Sequence, residues 1–360
     1  MPVIWCSISA HGFGHAAQVV PVLNELGRRI PNLRALLRTE VPASFFQPRL
    51  TIPWDLRPAR QDIGCIQDGP LTIDVAATWA AHRTYLADWS GKVTTEAREI
   101  TAAKPNLVLS DISPLGVAAG SAAGIPTVGM CSLSWDVVLE ALRGGSVADQ
   151  AALIDMIRAA YGRAERFLRV APAVTITGFR TCTDIGPIAE PAAPERERLR
   201  LALGARDSDR ITLVGFGGVP LKHLPFAEME RMPRMRFVLD GAVPDGLSRT
   251  HSMSTTALPF KSVLASADLI LTKPGYGTFV EAVALGTPVV YVRRFNFADE
   301  ESLISYLHRY GRGAELSRKE FAEGRWESVI DRLLRTARPA TLPPALSGPR
   351  DAAAILETYF

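Results

Sequence analysis

The chain has 360 residues, 47% of them apolar and 21% charged, with a formal net charge of +3. That length accommodates two domains with separate cores, and no run approaches the roughly 18 consecutive apolar residues of a membrane span. The small, scattered charge excludes the concentrated basic face of a nucleic-acid binder; Cys6, Cys65, Cys131 and Cys182 stand far apart, with no C-x-x-C pair, and suggest free thiols rather than disulfides or a structural metal site.

The opening residues Met1-Pro2-Val3 pass straight into strand-like sequence with no basic, cleavable leader, so a cytoplasmic location is expected. The first strand is expected over residues 3–9 and a helix over about 15–29, where Val19, Val22, Leu23 and Leu26 recur at helical spacing. Pro21 should kink that helix or restart it. Between strand and helix lies Ser9-Ala10-His11-Gly12-Phe13-Gly14-His15-Ala16-Ala17. Its glycines have the G-x-G-x-x-A spacing of a dinucleotide loop, whose backbone approaches a pyrophosphate. The flanking His11 and His15 leave a second reading open, a loop that holds a proton acceptor at the mouth of a cleft. The acidic residue a dinucleotide site needs roughly 20 positions on is replaced by Glu40, which comes later.

Arg28, Arg29, Arg34 and Arg38, interleaved with Leu33, Leu36 and Leu37, read either as a solvated surface or as a basic, apolar patch making peripheral contact with an anionic membrane. A strand is expected over 35–39, a mostly helical stretch over 72–103, a strand over 106–110 ending at Asp111, a helix of small residues, and a strand over 124–130. Strands alternating with helices imply a parallel sheet with crossover connections. The Pro-rich segment 184–195 reads as a linker, after which the scheme repeats with strands over 211–215, 236–239, 268–272 and 288–292. The expected organisation is therefore α/β: a Rossmann-like domain over 1–183, the linker, a second Rossmann-like domain over 196–344, and a C-terminal helix in 345–360 packing back on the first. Asp207-Ser208-Asp209 has a D-x-D pattern but falls in a polar turn, and no metal ligand set is assigned.

The segment Leu269-Ile-Leu-Thr-Lys273-Pro-Gly275-Tyr276-Gly277-Thr278-Phe-Val-Glu281 runs from strand through a glycine loop into a helix that Gly286 stops. Backbone N–H groups at Gly277 and Thr278 would lie at the positive end of that helix, where a diphosphate is held. The same Thr278-x-x-Glu281 spacing is also that of a capping box.

Strand, P-G-Y-G-T, helix with an early glutamate, G-T-P and strand together resemble the nucleotide-binding half of GT-B glycosyltransferases. Residues 258–316 are similar in particular to the C-terminal domain of the lipid-linked N-acetylglucosaminyltransferase of peptidoglycan synthesis. This resemblance implies that the diphosphate of a nucleotide sugar lies against Gly217, Gly218, Gly275, Gly277 and Thr278, with Lys273 and Tyr276 in the same loop. It further implies Glu281 on the ribose hydroxyls and the Phe260 backbone on uracil. A resemblance over nearly the whole chain is to the glycosyltransferase-like N-terminal region of plant L-arabinokinases. It rests on Asp62-Ile-Gly-Cys-Ile-Gln67, Leu71-Thr-Ile-Asp74, Ser134-Trp-Asp136, Phe216-Gly-Gly218, Pro274 to Thr278, and Val292-Arg-Arg294 through Glu300-Glu301. The Gly/Ser-rich phosphate loop of the attached sugar kinase is not among these residues, so no kinase activity is implied.

Gly12-Phe13-Gly14-His15 with Val20-Pro21-Val22-Leu23 is similar to the Q-G-H-x-x-P start of plant-type glycosyltransferases. That resemblance implies His15 as general base and Asp111, at a neighbouring strand end, as the carboxylate behind it. His11, Gly12 and Gly14 would face substrate, as would Asp136 at a strand-end loop, unless it caps a helix. Glu300 and Glu301 stand where related transferases grip the donor sugar, yet acidic residues also suit a helix start; Arg293 and Arg294 could bind phosphate or an acidic sugar, or join a surface salt bridge. The function implied is inverting transfer, of hexosyl type, from a UDP-sugar to a hydroxyl acceptor, with no metal or other cofactor. A nucleotide-sugar hydrolase or 2-epimerase, and a non-catalytic nucleotide-sugar binder, remain open alternatives.

Overall fold

The computed structural model describes residues 1–144, 148–217, 221 and 223–360. The chain forms two all-parallel sheets with helices on their faces. The first has seven strands among the described residues: β1 (Val3–Ile8), β2 (Arg34–Arg38), β3 (Trp54–Arg57), β4 (Leu107–Asp111), β5 (Thr127–Cys131), β6 (Arg166–Val170) and β7 (Cys182–Ile185), ordered β3-β2-β1-β4-β5-β6-β7. The second has six: β8 (Arg210–Val214), β9 (Met235–Leu239), β10 (Thr250–Ser252), β11 (Leu269–Thr272), β12 (Val289–Tyr291) and β13 (Gly313–Glu315), ordered β10-β9-β8-β11-β12-β13. In each sheet the winding reverses between two central strands, β1 and β4 in one and β8 and β11 in the other. Beyond the carboxyl ends of such a pair a crevice opens, because the two connections leave in opposite directions.

Central strands buried on both faces explain the continuous apolar runs Val-Ile-Trp-Cys-Ser-Ile and Leu-Val-Leu-Ser-Asp. The first helix, Gly14–Arg29, lays Val19, Val22, Leu23 and Leu26 on the first sheet. It runs through Pro21 as one helix, so of the two expected outcomes the restart does not occur. Pro21 is itself buried, and the helix continues past it with buried apolar residues on both sides despite the lost backbone bond. The C-terminal helix, Gly348–Leu356, packs Ala352, Ala353 and Leu356 into this same core. Residues 184 and 185 complete β7, and the chain crosses to the second sheet between Ile185 and the helix Arg196–Ala202.

Leu33, Leu36 and Leu37 are buried in and beside β2. Arg28 and Arg29 pair with Glu25, Arg34 with Asp55, and Arg38 with Glu96. These residues therefore form neither an apolar nor an uncompensated basic face. Asp209 of the D-x-D turn accepts from the Arg206 N–H and pairs with Arg236, which makes it a structural turn. No helix among the described residues is long and apolar enough to cross a membrane.

Candidate functional site

The two switch-point crevices meet in one cleft of about 510 Å³, lined by the loop from Ala10 to His15, Trp135, Gly217, the segment 272–278, Arg294 and Asp299. A larger hollow of about 860 Å³ lies on the first domain beside β2. Within it Arg38 pairs with Glu96, Arg60 with Glu40, and Lys92 lies over the Tyr85 ring.

On the first-domain rim, Gly12 adopts φ +83°, a left-handed turn that suits glycine and brings the loop round from β1 to the helix. His15, on the first turn of that helix, aims Nδ1 at Asp111, the last residue of β4, at 3.2 Å from Oδ1 and 3.1 Å from Oδ2. Asp111 is fully buried and the His15 ring only 12% exposed. Burial opposes a charge on this ring, but the carboxylate's charge and hydrogen bond outweigh it and hold the imidazolium well above its ordinary range. An ionised carboxylate only accepts, so Nδ1 carries the proton and donates it, leaving Nε2 as the basic nitrogen whenever the ring is neutral.

His11 behaves oppositely. Its Nε2 accepts from the Gln67 amide at 3.0 Å, and its ring stands edge-on to Trp135. Burial first, then the charges of His15, Lys273 and Arg294, drive its pKa down to about 3, so it stays neutral. Behind both histidines Asp62 accepts from Trp135 Nε1 and from Ser9 Oγ, each at 2.9 Å. Burial raises the pKa of Asp62 to about 6.

On the second-domain rim, Gly275 is the N-cap of the helix Tyr276–Leu285, with no side chain capping it. The Thr278–Glu281 capping box is therefore not formed, and the first-turn residues Tyr276, Gly277 and Thr278 line the cleft. Lys273 lies beside the loop; a Cβ on Gly217, which has φ +72°, would come within 3.6 Å of its Nζ. Among the described residues that ammonium has no carboxylate within ion-pair distance, and desolvation followed by the Arg294 charge lowers its pKa to about 8. Gly218 lies outside the described residues.

Several expected site residues also have partners within the protein. Tyr276 lines the cleft with the loop, but its hydroxyl donates to the Ala171 carbonyl at 2.8 Å and accepts from the Ile188 N–H at 3.0 Å, tying the two domains. Glu281 is buried against Lys261 at 3.1 Å, one turn into the helix. Phe260 opens the helix Phe260–Ser266, with its ring against Gly215. Asp136 is fully buried behind Trp135 and pairs with Arg158 at 3.4 Å, so it is turned from the cleft by its own helix. Arg293 pairs with the exposed Glu301, while Glu300 is buried and accepts from the backbone N–H groups of Arg294 and Phe295 and from Arg294 Nε. Both glutamates thus serve the loop after β12, and it is Arg294 and Asp299 that reach the cleft. Sequence reasoning assigned no role to Trp135, Asp62, Gln67, Asp299 or Cys131; only the positions of Asp62, Gln67 and Trp135 inside the quoted motifs hinted at them.

No protein-family model matches the chain. It is 26% identical over 333 residues to L-arabinokinase of Arabidopsis thaliana, a match covering 90% of this chain but only 31% of that protein. Among solved structures it superposes over its whole length on CalG4, the calicheamicin glycosyltransferase, with TM-score 0.66, 17% identity and 98% of that chain covered. Phytolacca americana UGT2, solved with UDP-2-fluoroglucose and pterostilbene, gives TM-score 0.61 and 15% identity over all of this chain and 94% of that one. The spinosyn rhamnosyltransferase SpnG gives 0.60 and 14%, again over all of this chain and 95% of its own. The chain has the GT-B fold, two Rossmann-like parallel-sheet domains facing across a cleft.

Proposed function

We propose that this chain is an inverting, metal-independent glycosyltransferase that moves a sugar from a UDP-sugar to a hydroxyl acceptor. The observation that carries the reading is the opposition, across one cleft, of a buried-carboxylate histidine and an uncapped helix N-terminus beside a lysine that has no ion-pair partner among the described residues. An acceptor hydroxyl attacking the anomeric carbon must lose its proton; His15 Nε2 takes it, and Asp111 steadies the imidazolium that forms. The diphosphate leaves from the opposite face of the sugar, so configuration inverts. Its growing charge is met by the N–H groups at Gly277 and Thr278 and by Lys273, which needs no metal ion. Glu281 and the Phe260 backbone serve the nucleoside in this reading, and His11, Gly12 and Gly14 border the acceptor. UGT2, bound to a UDP-sugar analogue and a phenolic compound, supports both substrate classes.

The test is a thermal-shift series with UDP, GDP, dTDP and NAD on the wild type and Glu281→Ala, followed by transfer and hydrolysis assays with the best nucleotide's sugars. Stabilisation by UDP, weakened in the variant, with acceptor-dependent release of UDP and inverted product is expected. Stabilisation by NAD alone, or free sugar released at the same rate with and without acceptor, would remove the transferase reading.

A further inference from the structure

Cys131, the last residue of β5, is fully buried, and its Sγ lies 3.9 Å from the same His15 Nδ1 that faces Asp111. Asp111 and Cys131 end the adjacent strands β4 and β5, His15 stands on the first turn of the helix that follows β1, and their ligand atoms all lie within 4.8 Å of one another. Nothing in proton abstraction by His15 calls for a thiol there. A tetrahedral zinc ion, with Zn–N and Zn–O of about 2.0–2.2 Å and Zn–S of about 2.3 Å, spaces its nitrogen and oxygen ligands by roughly 3.3 Å and nitrogen and sulfur by roughly 3.6 Å. The observed 3.1–3.2 Å and 3.9 Å are within a few tenths of an ångström of that arrangement. Asp111 Oδ2 is buried, and apart from its 3.1 Å ion-pair contact with His15 Nδ1 it has no hydrogen-bond partner among the described residues.

We propose that His15 Nδ1, Asp111 and Cys131 Sγ form a three-ligand site for a soft divalent cation of the Zn²⁺ class, and that loading it disables the His15–Asp111 pair. Nitrogen with thiolate selects such a cation over Mg²⁺ or Ca²⁺, which prefer oxygen. The charges balance from the imidazolium: the cation replaces the proton on Nδ1 and the proton on Sγ, both released to solvent, Nε2 keeps its proton so that the ring is neutral, and the two positive charges are matched by carboxylate and thiolate. A neutral cluster suits a dry site better than separate ions do. The bound cation takes the nitrogen that Asp111 otherwise orients, so the ring can no longer serve that carboxylate. The site stands on its own geometry and is independent of which reaction the cleft performs.

The probe is Co²⁺, whose bond to a thiolate gives a near-ultraviolet charge-transfer band and whose tetrahedral sites absorb strongly in the visible. Titration of the reduced chain is expected to give both bands, saturating at one ion per chain and abolished by added Zn²⁺. Cys131→Ser should remove the charge-transfer band, while Cys182→Ser, at the exposed cysteine, should keep it. Should Cys131→Ser fail to fold by circular dichroism, His15→Ala and Asp111→Asn, with the thiol intact, carry the test, each weakening Co²⁺ binding at least tenfold. No band in the wild type, a band that survives in folded Cys131→Ser, or affinity unchanged in both other variants would overturn the site.

Discussion

The two rims of the cleft are built on opposite plans. On the first-domain rim the titratable groups are already paired: His15 with Asp111, His11 with Gln67, Asp62 with Trp135 and Ser9. On the second-domain rim the helix start has no side-chain cap and Lys273 has no ion-pair partner among the described residues. The first arrangement fixes where a proton goes, since each ring is held in one orientation by a hydrogen-bond partner, Asp111 for His15 and Gln67 for His11. The second concentrates positive potential in a place where adding a Cβ to Gly277 would meet nothing within 4 Å, and that is what an incoming diphosphate requires. Preorganised geometry and unspent charge are thus divided between the domains, and the proposed chemistry needs both.

The sharpest way to separate the two is His15→Ala. Turnover is expected to fall by roughly 10²–10⁴-fold, while the UDP dissociation constant measured by calorimetry stays within about twofold; equal losses in both would show that the rims are not divided in this way.

Asp111→Asn comes next, and pH gives its sign. The folded His15 imidazole titrates above its ordinary value of 6.5, and a base must be neutral, so kcat/KM is expected to rise with pH through that raised value. In Asp111→Asn the limb should move to lower pH and the plateau fall, with imidazole NMR showing the same displacement. Stability follows the linkage: the pair's contribution is complete below about 6.5 and is lost as pH rises through the folded pKa. The stability gap between wild type and Asp111→Asn, read by urea denaturation, should therefore narrow on the alkaline side. A gap that widens with pH would contradict the ion pair.

On the other rim, Lys273→Ala should weaken UDP roughly tenfold, the size of one lost charge-assisted contact, and leave uridine unaffected. Wild-type UDP affinity should itself decline as pH rises through about 8, where the ammonium loses its proton. The smallest effect is expected at Glu281. Wild type should prefer UDP to 2′-deoxy-UDP by a few-fold, and Glu281→Ala should erase that preference; an unchanged preference would assign Glu281 to Lys261 alone.

Much of this architecture could be read from the sequence, because buried parallel strands are continuous apolar runs and glycines mark the turns that follow them. The strands missed were mostly short edge strands held by a single neighbour: Trp54–Arg57 and Cys182–Ile185 at the edges of the first sheet, Thr250–Ser252 and Gly313–Glu315 at the edges of the second. Arg166–Val170 was missed although it lies inside the first sheet, because arginines interrupt its apolar run. Within the site, pairs of like neighbours were the limit. Arg293 and Arg294 differ by one position and face opposite ways, one to a surface ion pair and one to the cleft wall. Glu300 and Glu301 divide similarly between a buried loop anchor and an exposed partner. Only register resolves such doublets. Cys131 was counted as a free thiol because its ligand-like neighbours are 20 and 116 residues away in sequence, a proximity that strand order alone creates.

The Tyr276 hydroxyl stitches the first turn of the second-domain helix to Ala171 and Ile188 on the other side of the cleft. A joint located at the floor of a two-jawed device makes it behave as a lever: rotation of one domain against the other displaces the mouth far more than the floor. Opening to admit or release large molecules therefore need not disturb the spacing between the phosphate-facing loop and the first domain's strand ends.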